Sequence, residues 1–161
     1  MATRPIRRFG DPILNTPAVP VERFDAQLRA LATDMLETMA AAGGVGLAAN
    51  QVGVERRIFV YSCQGMTGAL VNPAWHPLGK AMQTGPEGCL SIPGIRASVT
   101  RHAHVIASGA DVSGRPVSIR ASGLLARCIQ HESDHLDGVL FLARMAPPDR
   151  KAAMAALRAA D

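Results

Sequence analysis

The stretch that most constrains this chain is Gln130-His131-Glu132-Ser133-Asp134-His135-Leu136. Its two histidines stand four residues apart, just over one helical turn, so on a helix His131 and His135 share a face. Two neutral imidazoles on one face can grip one transition-metal ion. Glu132 then lies about 100° round the helix, near the metal without binding it, within reach of the proton of an activated water. The rest of the chain has to supply a third ligand and a donor for charge that grows on a substrate oxygen.

The patterning around that stretch predicts its setting. Ser122 is expected to cap a helix from about Gly123 to Leu136, which Asp137-Gly138 ends. Leu124, Cys128, His131 and His135 follow the i, i+4, i+7, i+11 rhythm of an inward face. Further upstream, Asp25 is a plausible N-cap, and Phe24, Leu28, Leu31, Met35 and Met39 recur at helical spacing until Gly43-Gly44. Short β-type runs lie between the two helices: Ile58 to Tyr61, Ala69 to Asn72, Lys80 to Thr84, Ala97 to Thr100, His104 to Ala107 and Val117 to Arg120. Asp111 to Gly114 reads as a hairpin turn between the last two. Pro147-Pro148-Asp149 opens an alanine-rich tail helix, about Asp149 to Ala159. The expected class is α+β: antiparallel β-sheets packed around a central metal-binding helix, with an N-terminal helix and a short C-terminal helix. A length of 161 residues fits one domain, 1–161, with an extended arm over 1–20 and the tail helix over 147–161.

Composition removes several function classes. The net charge is +4, but the arginines are scattered and few aromatics lie between them, which argues against specific nucleic-acid binding. No apolar stretch is long enough to span a membrane, and no apolar run follows the basic start as it would in a secretory signal. Three cysteines (Cys63, Cys89 and Cys128) favour reduced thiols and a cytoplasmic location over a disulfide framework.

Two further segments bear on the chemistry. Gly44-Val45-Gly46-Leu47-Ala48-Ala49-Asn50-Gln51 is dense in small residues that let a backbone pass close to something else. It lacks the P-loop lysine and the dinucleotide glycine pattern. It reads either as a plain structural turn or as a tight turn against the metal helix with Gln51 aimed at the site. Glu87-Gly88-Cys89-Leu90-Ser91 lies between two strand-like stretches. A free cysteine is usually a small buried hydrophobe, and Cys63 and Cys128 fit that description. Cys89 differs because Gly88 lets the backbone turn tightly just before it.

These three segments, in this order, resemble the peptide deformylases. The family pattern is a glycine-x-glycine-apolar-Ala-Ala-x-Gln segment, a Glu-Gly-Cys-Leu-Ser segment and a Gln-His-Glu-x-x-His segment, matched here by Gly44–Gln51, Glu87–Ser91 and Gln130–His135. The similarity extends to Gly10-Asp11-Pro12-Ile13-Leu14, to Ile92-Pro93, Arg96 and Val99, and to Asp137-Gly138-Val139-Leu140-Phe141, so it covers roughly residues 6 to 145. It implies an enzyme that removes the formyl group from the N-formylmethionine of new chains and releases formate. It implies Cys89, His131 and His135 as ligands of one divalent ion, Fe2+, for which Zn2+ or Ni2+ can substitute. Glu132 is then the proton carrier, with the Gln51 amide and the Leu90 backbone N–H as donors to the formyl oxygen. The substrate is expected to pair with strand edges near Val45-Gly46 and Gly88, its methionine walled by Leu124 and Cys128. Arg96 is either a surface arginine or a peptide contact. In some members the C-terminal helix touches the ribosome; Arg150, Lys151 and Arg158 fit weak contact of that kind or a solvated basic face.

The chain departs from the family at three positions. Arg127 stands where an apolar residue usually faces the methionine pocket; it is expected to snorkel to the rim, narrow the pocket and favour acidic residues downstream of methionine. Ser133 replaces a commonly apolar residue and is expected to point away from the metal. Pro86 stands where many members have a glutamate, and nothing in the sequence explains it. Rival readings fare worse. An HExxH metalloprotease takes a further His or Glu ligand downstream, yet the 26 residues after His135 contain neither. A non-catalytic metal or redox protein would tolerate damage to the motifs, and none is damaged.

Overall fold

The computed structural model describes residues 2–159; Met1, Ala160 and Asp161, the ends of the expected domain and tail, lie outside them. The elements in chain order are α1 (Ala26–Ala41), β1 (Gly46–Ala48), β2 (Ile58–Cys63), β3 (Met66–Pro77), β4 (Met82–Cys89), β5 (Ile92–His102), β6 (His104–Ala110), β7 (Pro116–Ser122), α2 (Gly123–Leu136) and α3 (Pro147–Ala159). Five strands form an antiparallel sheet in the order β1-β2-β3-β6-β7, and β4 and β5 form a separate hairpin. This is the expected α+β class.

The apolar run of β2 explains the layering. Phe59, Tyr61 and Cys63 face one core with Leu125, Cys128 and Ile129 of α2, whereas Ile58 and Val60 face a second core with Leu28, Leu31 and Met35 of α1. A strand covered on both faces reads as continuous hydrophobicity, not as alternation. A third core ties Leu14 of the arm to Ile92 and Val99 of β5 and to Ala153 of α3.

α1 starts as expected: the Asp25 carboxylate accepts the Leu28 N–H at 3.0 Å. α2 has the expected bounds but a different cap. Ser122 holds the N-cap position without a side-chain capping bond, because its hydroxyl is 2.6 Å from His104 Nδ1. Gly138 ends α2 at φ +78°, and a Cβ there would lie 2.8 Å from the Asn15 backbone, so the arm passes where only glycine fits. The arm also bridges two loops. The Arg7 N–H donates to the Gln51 carbonyl at 2.6 Å, and the Phe9 N–H to the Ser91 carbonyl at 2.8 Å.

Two expectations need correction. Gly46–Ala48, read as part of a turn, is an edge strand followed by a 3-10 turn over Ala49–Val52. Leu124, placed on the inward face, is 45% exposed, because the first turn of α2 projects past the sheet. α2 is buried throughout from Leu125 to Leu136, Ser133 included, since sheet, hairpin and arm surround this helix. The strands near residues 80 and 97 run longer than expected, as β4 and β5. Pro86 is tolerated within β4 because that strand is hydrogen-bonded on one side only.

Candidate metal centre

α2 brings His131 and His135 to one face, and the end of β4 brings Cys89 to them. A register shift between Gly88 and Cys89, just before the two-residue turn Leu90-Ser91, re-aims the cysteine. Cys89 Sγ lies 3.3 Å from His135 Nε2, which lies 3.2 Å from His131 Nε2. The three donor atoms fall within 4.8 Å of one another, the only such cluster among the described residues. A thiolate and two imidazoles are the donor chemistry of a borderline-soft divalent ion, and three protein ligands leave one tetrahedral position open.

The surroundings fix those ligands. Glu87 Oε1 is 2.7 Å from His131 Nδ1. Hydrogen bonds from Arg101 and His131 outweigh burial and hold Glu87 ionised, well below the usual carboxylate range. An ionised carboxylate only accepts, so Nδ1 carries the hydrogen it donates, and Nε2 is the nitrogen turned to where a cation would take the place of a proton. Arg101 grips Glu87 with Nε and Nη2, both at 2.9 Å, and reaches Asp134 at 2.7 Å. Arg144 closes on Asp134 at 3.0 and 3.1 Å. Asn50 donates from Nδ2 to the His135 carbonyl. The sequence reading gives none of Glu87, Arg101, Asp134 or Asn50 a role: Glu87, Asn50 and Asp134 stand inside the three motif segments, but their partners lie 10 to 85 residues away in sequence, so only the fold shows what they do.

Gln51 is held in place from behind. Its Oε1 accepts the Ala48 N–H at 3.0 Å, which aims Nε2 at Ser91 Oγ, 3.1 Å, and towards Cys89 Sγ, 3.7 Å. Gly46 explains the small residues of this segment: a Cβ there would lie 2.7 Å from both Cys128 Sγ and Glu132 Oε2. β1 therefore passes directly over the Cys128 and Glu132 side of α2. Glu132 is 4% exposed and its Oε1 has no hydrogen-bond partner among the described residues; burial pushes its carboxyl up to about 7. The His131 imidazole resists its own burial and rises to about 10 beside Glu132, Cys89 and Glu87, whereas burial and the neighbouring His131 drive His135 well down.

Gln51, Glu87, Cys89, His131 and Glu132 line a cavity of about 550 Å³, whose wall also includes Val45, Gly46, Gly88, Leu90, Arg96, Leu124, Arg127 and Cys128. One expectation fails at this wall. Arg127 does not snorkel to the rim: it is 6% exposed, and Nη1 is 2.5 Å from Glu87 Oε2 and 3.0 Å from the Val99 carbonyl. The buried carboxylate attracts the guanidinium more strongly than the rim does.

The polypeptide deformylase family model matches residues 3–151. The chain belongs to the polypeptide deformylase family. It is 56% identical over 165 residues to peptide deformylase 1 of Corynebacterium efficiens, covering 100% of this chain and 98% of that protein. It is 54% identical over 161 residues to the peptide deformylase of Acidothermus cellulolyticus, covering 100% of this chain and 89% of that one. Among solved structures, the Thermus thermophilus peptide deformylase superposes with a TM-score of 0.91 at 42% identity, covering 98% of this chain and 94% of that chain. The Ehrlichia chaffeensis enzyme in complex with actinonin gives a TM-score of 0.93 at 34% identity, covering 100% and 99%. Peptide deformylases are hydrolases that remove N-formyl groups from nascent polypeptides, and this chain is such an enzyme. Among the described residues, no helix is long and apolar enough to cross a membrane.

Proposed function

We propose that Cys89, His131 and His135 of this deformylase hold Fe2+, with Zn2+ or Ni2+ able to substitute, and that the substrate is the N-formylmethionine end of a new chain. The observation that carries the reading is the cluster of one sulfur and two ring nitrogens at the edge of a cavity that Cys89, His131, Glu132 and Gln51 line. When bound, the cation supplies Lewis acidity to a water and to the formyl oxygen. Glu132 accepts the proton of the water that attacks the formyl carbon. It returns that proton to the amide nitrogen as the carbon–nitrogen bond breaks, so formate and a free amine leave. The Gln51 Nε2 and Leu90 N–H groups donate to the formyl oxygen as its charge grows.

The substrate backbone adds as a strand. β1 is a sheet edge and β4 pairs on one side only, so the strand edges at Val45-Gly46 and Gly88 face the cavity from either side, although the Val45 carbonyl is already taken by the Ser62 N–H. The methionine side chain enters between Leu124, Arg127 and Cys128. Arg96, whose Nη1 lies 3.1 Å from a Cβ placed on Gly88, contacts the peptide beyond methionine. The chain works as one catalytic domain in the cytoplasm. The exposed Arg150, Lys151 and Arg158 of α3 give weak, salt-sensitive ribosome contact; absent or salt-insensitive co-sedimentation removes that part of the reading.

The deciding experiment is formate release from formyl-Met-Ala-Ser by protein loaded anaerobically with Fe2+, Ni2+ or Zn2+. Formate without internal peptide cleavage is expected. Cleavage of internal bonds, or no formate with any of the three ions, overturns the proposal.

A further inference from the structure

Arg127 has donors to spare in the cavity wall. A guanidinium carries five N–H groups. Among the described residues, Nη1 uses both of its hydrogens, on Glu87 and the Val99 carbonyl, and Nη2 touches Gln83 Oε1 at 3.5 Å. That accounts for three of the five and leaves Nε–H and one Nη2 hydrogen without an acceptor. The side chain is nine-tenths buried and lines the cavity. Its position is fixed through Glu87, which is itself held by Arg101. The connected cluster is also short of negative charge, with Arg101, Arg127 and Arg144 set against Glu87 and Asp134.

A side chain entering this space strips water from those donors. A thioether sulfur is a weak acceptor and an all-carbon tip is none, so both leave charged N–H groups poorly satisfied. A sulfoxide keeps nearly the length of methionine and adds a polar oxygen. A purely apolar pocket would reject that oxygen; a fixed guanidinium receives it. We propose that this deformylase also acts on chains that begin with N-formylmethionine sulfoxide, with Arg127 donating to the sulfoxide oxygen. The reaction is the same hydrolysis: water adds across the formyl amide, formate leaves, the amine takes the proton, and the sulfoxide is unchanged.

The inference rests on the methionine side chain entering beside Arg127, as proposed above. Its test compares kcat/KM for formyl-Met-Ala-Ser, its sulfoxide and its norleucine analogue, in the wild type and in Arg127→Leu. The ratio of sulfoxide to norleucine within one protein cancels any general loss that Arg127→Leu causes through Glu87. That ratio is expected to fall by about tenfold or more in Arg127→Leu, the worth of one hydrogen bond to a charged donor. An equal ratio in the two proteins overturns the inference. Should Arg127→Leu fail to fold, the wild type alone decides. Sulfoxide turnover within about tenfold of norleucine supports the inference, and anything lower overturns it. No formate from formyl-Met-Ala-Ser itself would instead overturn the underlying substrate reading.

Discussion

Glu87 Oε1 sits 2.7 Å from His131 Nδ1, and this one hydrogen bond leaves Nε2 as the nitrogen turned to where a cation would bind. Glu87 achieves this while receiving Arg101 and Arg127 on its remaining lone pairs, so the orientation of His131 rests on one buried carboxylate.

Glu87→Gln keeps the size but removes the charge. The amide can still accept from His131, yet it meets Arg101 and Arg127 with half the acceptors. Metal affinity, read by competition with a chelator, is expected to drop about 10- to 100-fold, the usual effect of losing a partner behind a ligating histidine. The melting temperature is expected to fall as well, because the buried Arg127 loses its counter-charge and Arg101 keeps only Asp134. Unchanged metal retention would show that His131 is oriented by packing against Phe141 instead, whose ring centroid lies 5.9 Å away.

Gly46→Ala tests the close approach of β1 to α2. The added methyl would need the space of Cys128 Sγ and Glu132 Oε2, each 2.7 Å away, and both are side-chain tips that can move. Stability is therefore expected to fall by only about 1–3 kcal/mol, the ordinary range for overpacking. The displaced Glu132 carboxylate is expected to cost turnover about 100-fold, since small misplacements of a reacting group cost that much. Chemical denaturation and formate release measured on the same sample separate the two effects.

Gln51→Leu removes a donor at nearly constant volume. The loss expected in kcat is about 10²–10³-fold, with metal content kept, because one oxyanion donor is typically worth that much. The variant also leaves the Ala48 N–H unpaired, so a modest loss of stability accompanies it. Full activity would leave the Leu90 N–H as the sole protein donor.

The sequence is most legible where the signal is local. The bounds of α2 follow from a turn residue at each end, and Cys89, His131 and His135 stand in short motifs whose spacing is itself the chemistry. Legibility fails where a role depends on pairing across the fold. Glu87 acts on His131 only because β4 runs alongside α2, and Arg101 reaches both Glu87 and Asp134 only because β5 pairs with β4. Arg127 is misread for the same reason: nothing near it in sequence shows that a buried carboxylate waits 40 residues upstream. β1 is hidden by its own composition, since three small or apolar residues carry no strand signature.

Glu132 gives the last prediction, made for metal-free protein so that no cation enters the balance. Its carboxyl is raised to about 7 in the fold, against 4.5 for an ordinary glutamate. Between those two values the folded state keeps a proton that the unfolded chain releases. Burial of Glu132 therefore costs nothing below about pH 4.5, costs more as pH rises to about 7, and costs a constant amount above that. A glutamine amide cannot ionise, so Glu132→Gln is expected to match the wild type near pH 4.5 and to exceed its stability above pH 7, by at most about 3 kcal/mol and by less to the extent that His131 loses the charge that raises it. Thermal melts of the two metal-free proteins across about pH 4.5–8.5 check this, and parallel melting curves at every pH would mean that Glu132 ionises without penalty. The same variant loaded with metal is expected to retain the ion and lose turnover, because the carboxylate lies outside the ligand cluster and its proposed part is to carry the proton.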